Sequence, residues 1–146
     1  MEKNLREVQN EIVEEFQLFD DWMDRYNQLI DMSKNLEEMD PKYKTEKYVI
    51  EGCQSKVWLH AEFDGDVIRF KADSDAIITK GIVALLIRVL SGRTPEEIKD
   101  ADLFFIDEIG LKDHLSPTRA NGLLAMVRQM KLYALAYYAK QQKNDS

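Results

Sequence analysis

Thiol chemistry is nearly absent from this chain, which has one cysteine, Cys53, in 146 residues. One thiol excludes an internal disulfide and fits a reducing compartment. The only histidines are His60 and His114, and with a single cysteine they do not make a zinc site. Long apolar runs are also missing. The longest, from Gly81 to Leu90, is interrupted by Arg88 and is too short to span a bilayer, so no membrane partner is expected. Charged residues follow Met1, so no secretory signal is expected and the cytoplasm is the anticipated location. No basic stripe offsets the net charge of −7. Phosphate backbones would be repelled, which argues against nucleic acid as a partner. The patterns G-x-G-x-x-G, G-x-x-x-x-G-K-[ST], H-E-x-x-H and G-x-S-x-G do not occur, so no bound cofactor or metal is expected.

What is present reads as one domain over residues 1–146, with an ordinary hydrophobic content of 45%. Leu5, Val8, Ile12, Phe16 and Phe19 recur at helical spacing between glutamates. Trp22, Tyr26, Leu29 and Ile30 resume the stripe, and Trp22 reads as core. Asp20 or Asp21 is placed to cap a second helix. From Ser33 to Lys47 the periodicity fails, and Asp40-Pro41 breaks any helix. This polar connection leads into Gly52-Cys53-Gln54-Ser55-Lys56-Val57-Trp58.

A β-hairpin follows, with Asp64-Gly65 as its turn signal. A two-residue turn there pairs Phe63 with Asp66, Ala61 with Ile68, Leu59 with Phe70 and Val57 with Ala72. The last three pairs share an apolar face, and Trp58, His60, Glu62, Val67, Arg69 and Lys71 share a mostly polar one. Asp73-Ser74-Asp75 ends the second strand. A core helix then runs from about Ala76 to Leu90, with Gly92 as its stop. Thr94-Pro95-Glu96-Glu97 and Ser116-Pro117-Thr118-Arg119 are helix starts. From Lys140 onward the chain reads as a fraying polar tail.

Three positions depart from local preference, as functional sites often do. Arg119 lies in a first helical turn, where the macrodipole disfavours a cation. Gly122 and Gly81 interrupt helical patterns at about 1 kcal/mol each relative to alanine. Close backbone approach explains both, and would draw their two helices towards a shared centre. Each position also has an ordinary reading. Arg119 would pair with Asp107 or Asp113 at the surface. Ser74 and Asp75 would be helix caps. Cys53 would be a small buried hydrophobe. Its setting beside Gly52 and the polar Gln54-Ser55-Lys56 favours a loop instead, where Lys56 would lower the thiol pKa.

The cysteine heptapeptide resembles that of the SufE family of sulfur-acceptor proteins. So do Asp73-Ser74-Asp75-Ala76 with Lys80-Gly81, and His114-Leu115-Ser116-Pro117-Thr118-Arg119-Ala120-Asn121-Gly122-Leu123. Thr118 stands where serine is common, Tyr48 where many relatives have asparagine, and Met39-Asp40-Pro41 where Leu-Pro is usual. The resemblance implies an α+β fold similar to the scaffold proteins of iron–sulfur assembly (SufE/IscU-like): a small antiparallel sheet packed against helices from both ends of the chain. It implies that Cys53 takes persulfide sulfur from a pyridoxal-phosphate-dependent cysteine desulfurase of the SufS or CsdA kind. The sulfur would pass to an iron–sulfur scaffold of the SufBCD kind. The pyridoxal phosphate resides on the partner. Gly52, Gln54, Ser55, Trp58, Ser74, Asp75, Lys80, His114 and Arg119 are the implied supporting or partner-contact positions.

Oligomeric state is left open, a homodimer included. The implied protein is a carrier and desulfurase activator rather than a conventional enzyme. A single cysteine argues against a cluster scaffold. Two other readings compete: a stand-alone hydrolase or transferase with Cys53 as nucleophile and His60 or His114 as base, and an adaptor with an inert cysteine.

Overall fold

The computed structural model describes residues 3–53 and 55–145. The amphipathic start of the chain forms two helices, α1 (Leu5–Gln17) and α2 (Trp22–Ser33). The break between them comes where Asp21 accepts the amide of Met23 at 2.9 Å and caps α2. Ile12 and Phe16 of α1 and Leu29 of α2 are fully buried. The polar connection that follows has two short 3-10 turns, Pro41–Tyr43 and Glu46–Tyr48. Met39 is 1% exposed and anchors this connection to the body.

The hairpin pairs β1 (Val57–Phe63) with β2 (Ile68–Ser74) in a two-stranded antiparallel sheet. Its register differs from the sequence expectation by two residues: Phe63 faces Ile68, Ala61 faces Phe70, Leu59 faces Ala72 and Val57 faces Ser74. The turn residues are Gly65 and Asp66, closed by Asp64 N–H donating to the Val67 carbonyl at 3.3 Å. A turn centred on Asp64-Gly65 would use Asp64 as a central residue. Here Asp64 instead stays outside the turn and accepts the amides of Asp66 and Val67, both at 2.9 Å. Gly65 alone takes positive φ, +100°, as a turn with glycine at its first central position requires. Side chains alternate with period two, so a shift of two leaves both faces unchanged. The apolar face is therefore the expected one.

That face packs on α3 (Ile77–Leu90), the core helix, whose Ile82, Val83, Leu86, Val89 and Leu90 are buried. Gly81 lets α3 approach α2: a Cβ there would stand 2.2 Å from the Leu29 carbonyl oxygen. The expectation of a centre shared with Gly122 is corrected, because Gly122 faces a different neighbour. Thr94 and Glu97 form the expected capping box of α4 (Pro95–Asp100). A one-turn helix, α5 (Phe105–Glu108), precedes the long α6 (Pro117–Asp145). The polar tail expected from Lys140 is a helix instead. Gln141 donates to the Gly65 carbonyl at 3.2 Å, tying this end to the hairpin turn. The fold is α+β: a small antiparallel sheet packed by helices from both ends of the chain.

Candidate functional site

Cys53 sits on a loop between the second 3-10 turn and β1, held at both ends by backbone bonds. At its base, Ile50 N–H donates to the Val57 carbonyl at 2.8 Å, and Val49 bridges Trp58. Ile50 is 4% exposed and roots the loop in the core. Gly52 turns the chain with φ +95°, a left-handed conformation that favours glycine.

The far end is clamped at Lys56. Its amide donates to Asp75 Oδ1 at 3.1 Å, and its carbonyl accepts from Ser74 Oγ at 2.9 Å and from Asp75 N–H at 3.3 Å. This corrects the reading of these residues as ordinary caps. Ala76 is the N-cap of α3 and offers no side-chain bond. Ser74 Oγ also accepts the Ala76 amide at 3.2 Å, so it joins the clamp to the helix start.

The loop rests on α6. Cys53 Sγ donates to the Gly122 carbonyl at 3.7 Å. A Cβ at Gly122 would stand 3.5 Å from Sγ, and one at Gly52 would stand 3.3 Å from the Ala125 Cβ. The glycine in α6 thus marks where the helix receives the cysteine. Ala125, three residues on, extends the same small surface, a pairing readable from i,i+3 spacing but missed in the sequence. Cys53 is half-buried, and burial pushes its thiol up from the ordinary value. The expected lowering by Lys56 does not occur, because that ammonium faces Glu46 at 3.8 Å in solvent.

Neither histidine is bonded to the thiol among the described residues. His60 stacks on Tyr43 with ring centroids 3.8 Å apart, meets Tyr48 edge-on at 5.3 Å, and has Nε2 3.4 Å from Glu62. His114 is exposed and stacks on Trp22 at 4.1 Å, with Nδ1 3.0 Å from the Gly110 carbonyl. Its own carbonyl accepts the Tyr26 hydroxyl. Each ring fastens a connection to the body: His60 the polar segment before the cysteine, His114 the start of α6.

The other expected residues scatter. Lys80 lies 3.4 Å from Asp73, which also binds Lys44 at 2.6 Å. Burial raises the Asp73 carboxyl, but the hydrogen bonds from Lys44 and the Ser74 amide and the two lysine charges outweigh it and hold it below the ordinary value. Lys44 carried no signal in the sequence. Trp58 and Ser55 are half-buried, and Gln54 lies outside the described residues. Arg119 is exposed one helical turn before Gly122, and its amide donates to Ser116 Oγ at 3.2 Å. The surface pair expected for it is not formed: Asp107 lies 3.8 Å from Lys112 instead, and Arg119 has no ion pair among the described residues.

The sequence model of the family described as "SufE: Fe-S metabolism associated domain" matches residues 10–134. An uncharacterised SufE-like protein of Rhizobium meliloti is 39% identical over 127 residues, covering 84% of this chain and 91% of that one. A SufE-like protein of Arabidopsis thaliana, named chloroplastic/mitochondrial, is 41% identical over 137 residues, covering 93% of this chain and 37% of that longer one. The solution structure of a hypothetical protein from Thermus thermophilus superposes with a TM-score of 0.74 at 21% identity, covering 90% of this chain and 96% of the other. That likeness speaks to the fold alone.

Proposed function

Because the chain belongs to the SufE family, we propose that Cys53 accepts persulfide sulfur from a pyridoxal-phosphate-dependent cysteine desulfurase and hands it to iron–sulfur cluster assembly. The thiolate of Cys53 attacks the terminal sulfur of the partner's persulfide. A new S–S bond forms on Cys53 as the donor's S–S bond breaks. The donor leaves as thiolate and takes up the proton that Cys53 released. No external oxidant is needed, and the step parallels thiol–disulfide exchange.

One observation carries this reading. The sole thiol lies half-buried against a glycine carbonyl, on a loop clamped at Lys56, with no histidine bonded to it. A stand-alone hydrolase needs a base on its nucleophile, and both histidines are engaged elsewhere. A carrier needs only a sheltered thiol and a partner that reaches it. Asp75 positions the loop through Lys56, and Arg119, exposed in the first turn of α6, is a partner-contact residue. Stimulation of the desulfurase tests the proposal. The protein accelerates alanine release from cysteine, Cys53→Ser abolishes that acceleration with the fold intact, and Arg119→Ala weakens it. Full stimulation by Cys53→Ser would overturn the reading.

A further inference from the structure

The connection that leads into the cysteine loop is tied to the body by few contacts. Its backbone bonds are local: Tyr43 and Lys44 donate their amides to Asp40 and Pro41 at 3.0 Å each, and Tyr48 donates to Thr45 at 3.0 Å. Two ion pairs reach out of it, Lys44 to Asp73 at 2.6 Å and the exposed Glu46 to Lys56 at 3.8 Å. From Pro41 to Tyr48 every residue is exposed except Tyr43 and Tyr48, and both of those rings meet His60 of β1. Tyr43 stacks on the imidazole at 3.8 Å, Tyr48 meets it edge-on at 5.3 Å, and the two phenol rings meet edge-on at 5.3 Å. Each ring thus touches the other two, which adds attraction beyond the area buried. The His60 side chain is left 16% exposed.

The three rings adjoin the base of the cysteine loop. Val49 bridges Trp58, and Ile50 donates to the Val57 carbonyl at 2.8 Å; these are the last backbone ties before the chain leaves for Cys53. Continued away from the loop, that antiparallel register sets Tyr48 opposite Leu59 and Lys47 opposite His60. No backbone bond joins residues 43–48 to β1 among the described residues. The rings stand where the ladder would continue and hold the chain in its place. Without them the connection can peel from β1, which lengthens the free loop around Cys53 at its upstream end. The downstream end stays clamped by Ser74 and Asp75 at Lys56.

We propose that Tyr43, Tyr48 and His60 are positioning residues for Cys53. By holding the upstream end of its loop on β1, they keep the thiol on the Gly122 carbonyl and set how readily it meets a sulfur donor. Shelter of the thiol is a property of the resting chain, whereas meeting a sulfur donor rests on the acceptor role proposed above. His60 acts as a ring rather than as a base, so phenylalanine can take its place.

Alkylation of Cys53 by iodoacetamide and hydrogen exchange of the Ile50 amide test the placement without any desulfurase. His60→Leu keeps an apolar side chain and loses the ring. It is expected to speed both alkylation and Ile50 exchange about fivefold, while the Leu86 amide in α3 exchanges as in the native protein. His60→Phe returns both rates to within about twofold of native. Tyr43→Leu, on the connection and away from the core, repeats the effect of His60→Leu and serves should that variant not fold. Once a cysteine desulfurase and cysteine have loaded Cys53, reductant strips the sulfur about fivefold faster from His60→Leu than from the native protein. Unchanged alkylation in both ringless variants, no recovery with phenylalanine, or equal acceleration at Ile50 and Leu86 would overturn the positioning role. A native protein that gains no sulfur while the alkylation contrast stands would overturn the acceptor role and leave the positioning role supported.

Discussion

Cys53 is poised for shelter rather than for reactivity at rest. Half-burial favours the neutral thiol, and the Gly122 carbonyl accepts its proton-bearing end. Its folded pKa is raised, so the stability tied to the neutral thiol is fully present below the unfolded thiol pKa and is lost as pH rises through the folded one. Alkylation of the native protein is therefore slower at neutral pH than that of the unfolded chain, with its midpoint shifted to higher pH. A pH–rate profile with iodoacetamide checks this, and a midpoint below that of a free thiol would contradict it. The glycines make a second contrast. Gly81→Ala drives a methyl group into the Leu29 carbonyl and costs about 1–3 kcal/mol, read from the denaturant midpoint. Gly122→Ala meets Cys53 only at ordinary contact distance, so it leaves the fold intact and gains helix propensity of up to about 1 kcal/mol.

At the level of elements, the cysteine loop is a clasp between the hairpin base and α6. Asp75→Ala removes the acceptor of the Lys56 amide. It costs about 1 kcal/mol and speeds alkylation of Cys53, a change that loss of a remote surface residue would not produce. Asp73 links the segment before the cysteine to α3 through Lys44 and Lys80. Its carboxyl is depressed on folding, so its contribution is present above the unfolded pKa and is lost as pH falls through the folded one. Stability of the native protein should therefore fall more steeply below about pH 4 than that of Asp73→Asn.

Much of this organisation was legible in the sequence. Helical periodicity placed α1, α2 and α3, and alternation placed the two faces of the hairpin. The register was not, because Asp64 can serve either as a central turn residue or as an acceptor outside the turn, and alternation is blind to a shift of two. The two odd glycines announced close approach, but not to what: one meets Leu29, the other Cys53. Lys56 misled for a related reason. Proximity in sequence suggested a charge on the thiol, whereas the side chain turns to Glu46.

For the whole molecule, the proposed carrier is an acidic chain with one half-buried thiol, to which neither histidine is bonded among the described residues. No helix among the described residues is long and apolar enough to cross a membrane, and no cluster of histidine, cysteine and carboxylate suited to a metal occurs among them. On the proposed function, a partner desulfurase loads Cys53, and the sulfur stays on this one residue until it is handed on. Intact-mass spectrometry after incubation with a cysteine desulfurase, pyridoxal phosphate and cysteine reads that directly. The prediction is a gain of sulfur that reductant removes, mapped to Cys53 and absent from Cys53→Ser. A folded protein that gains no sulfur while the desulfurase turns over would contradict it.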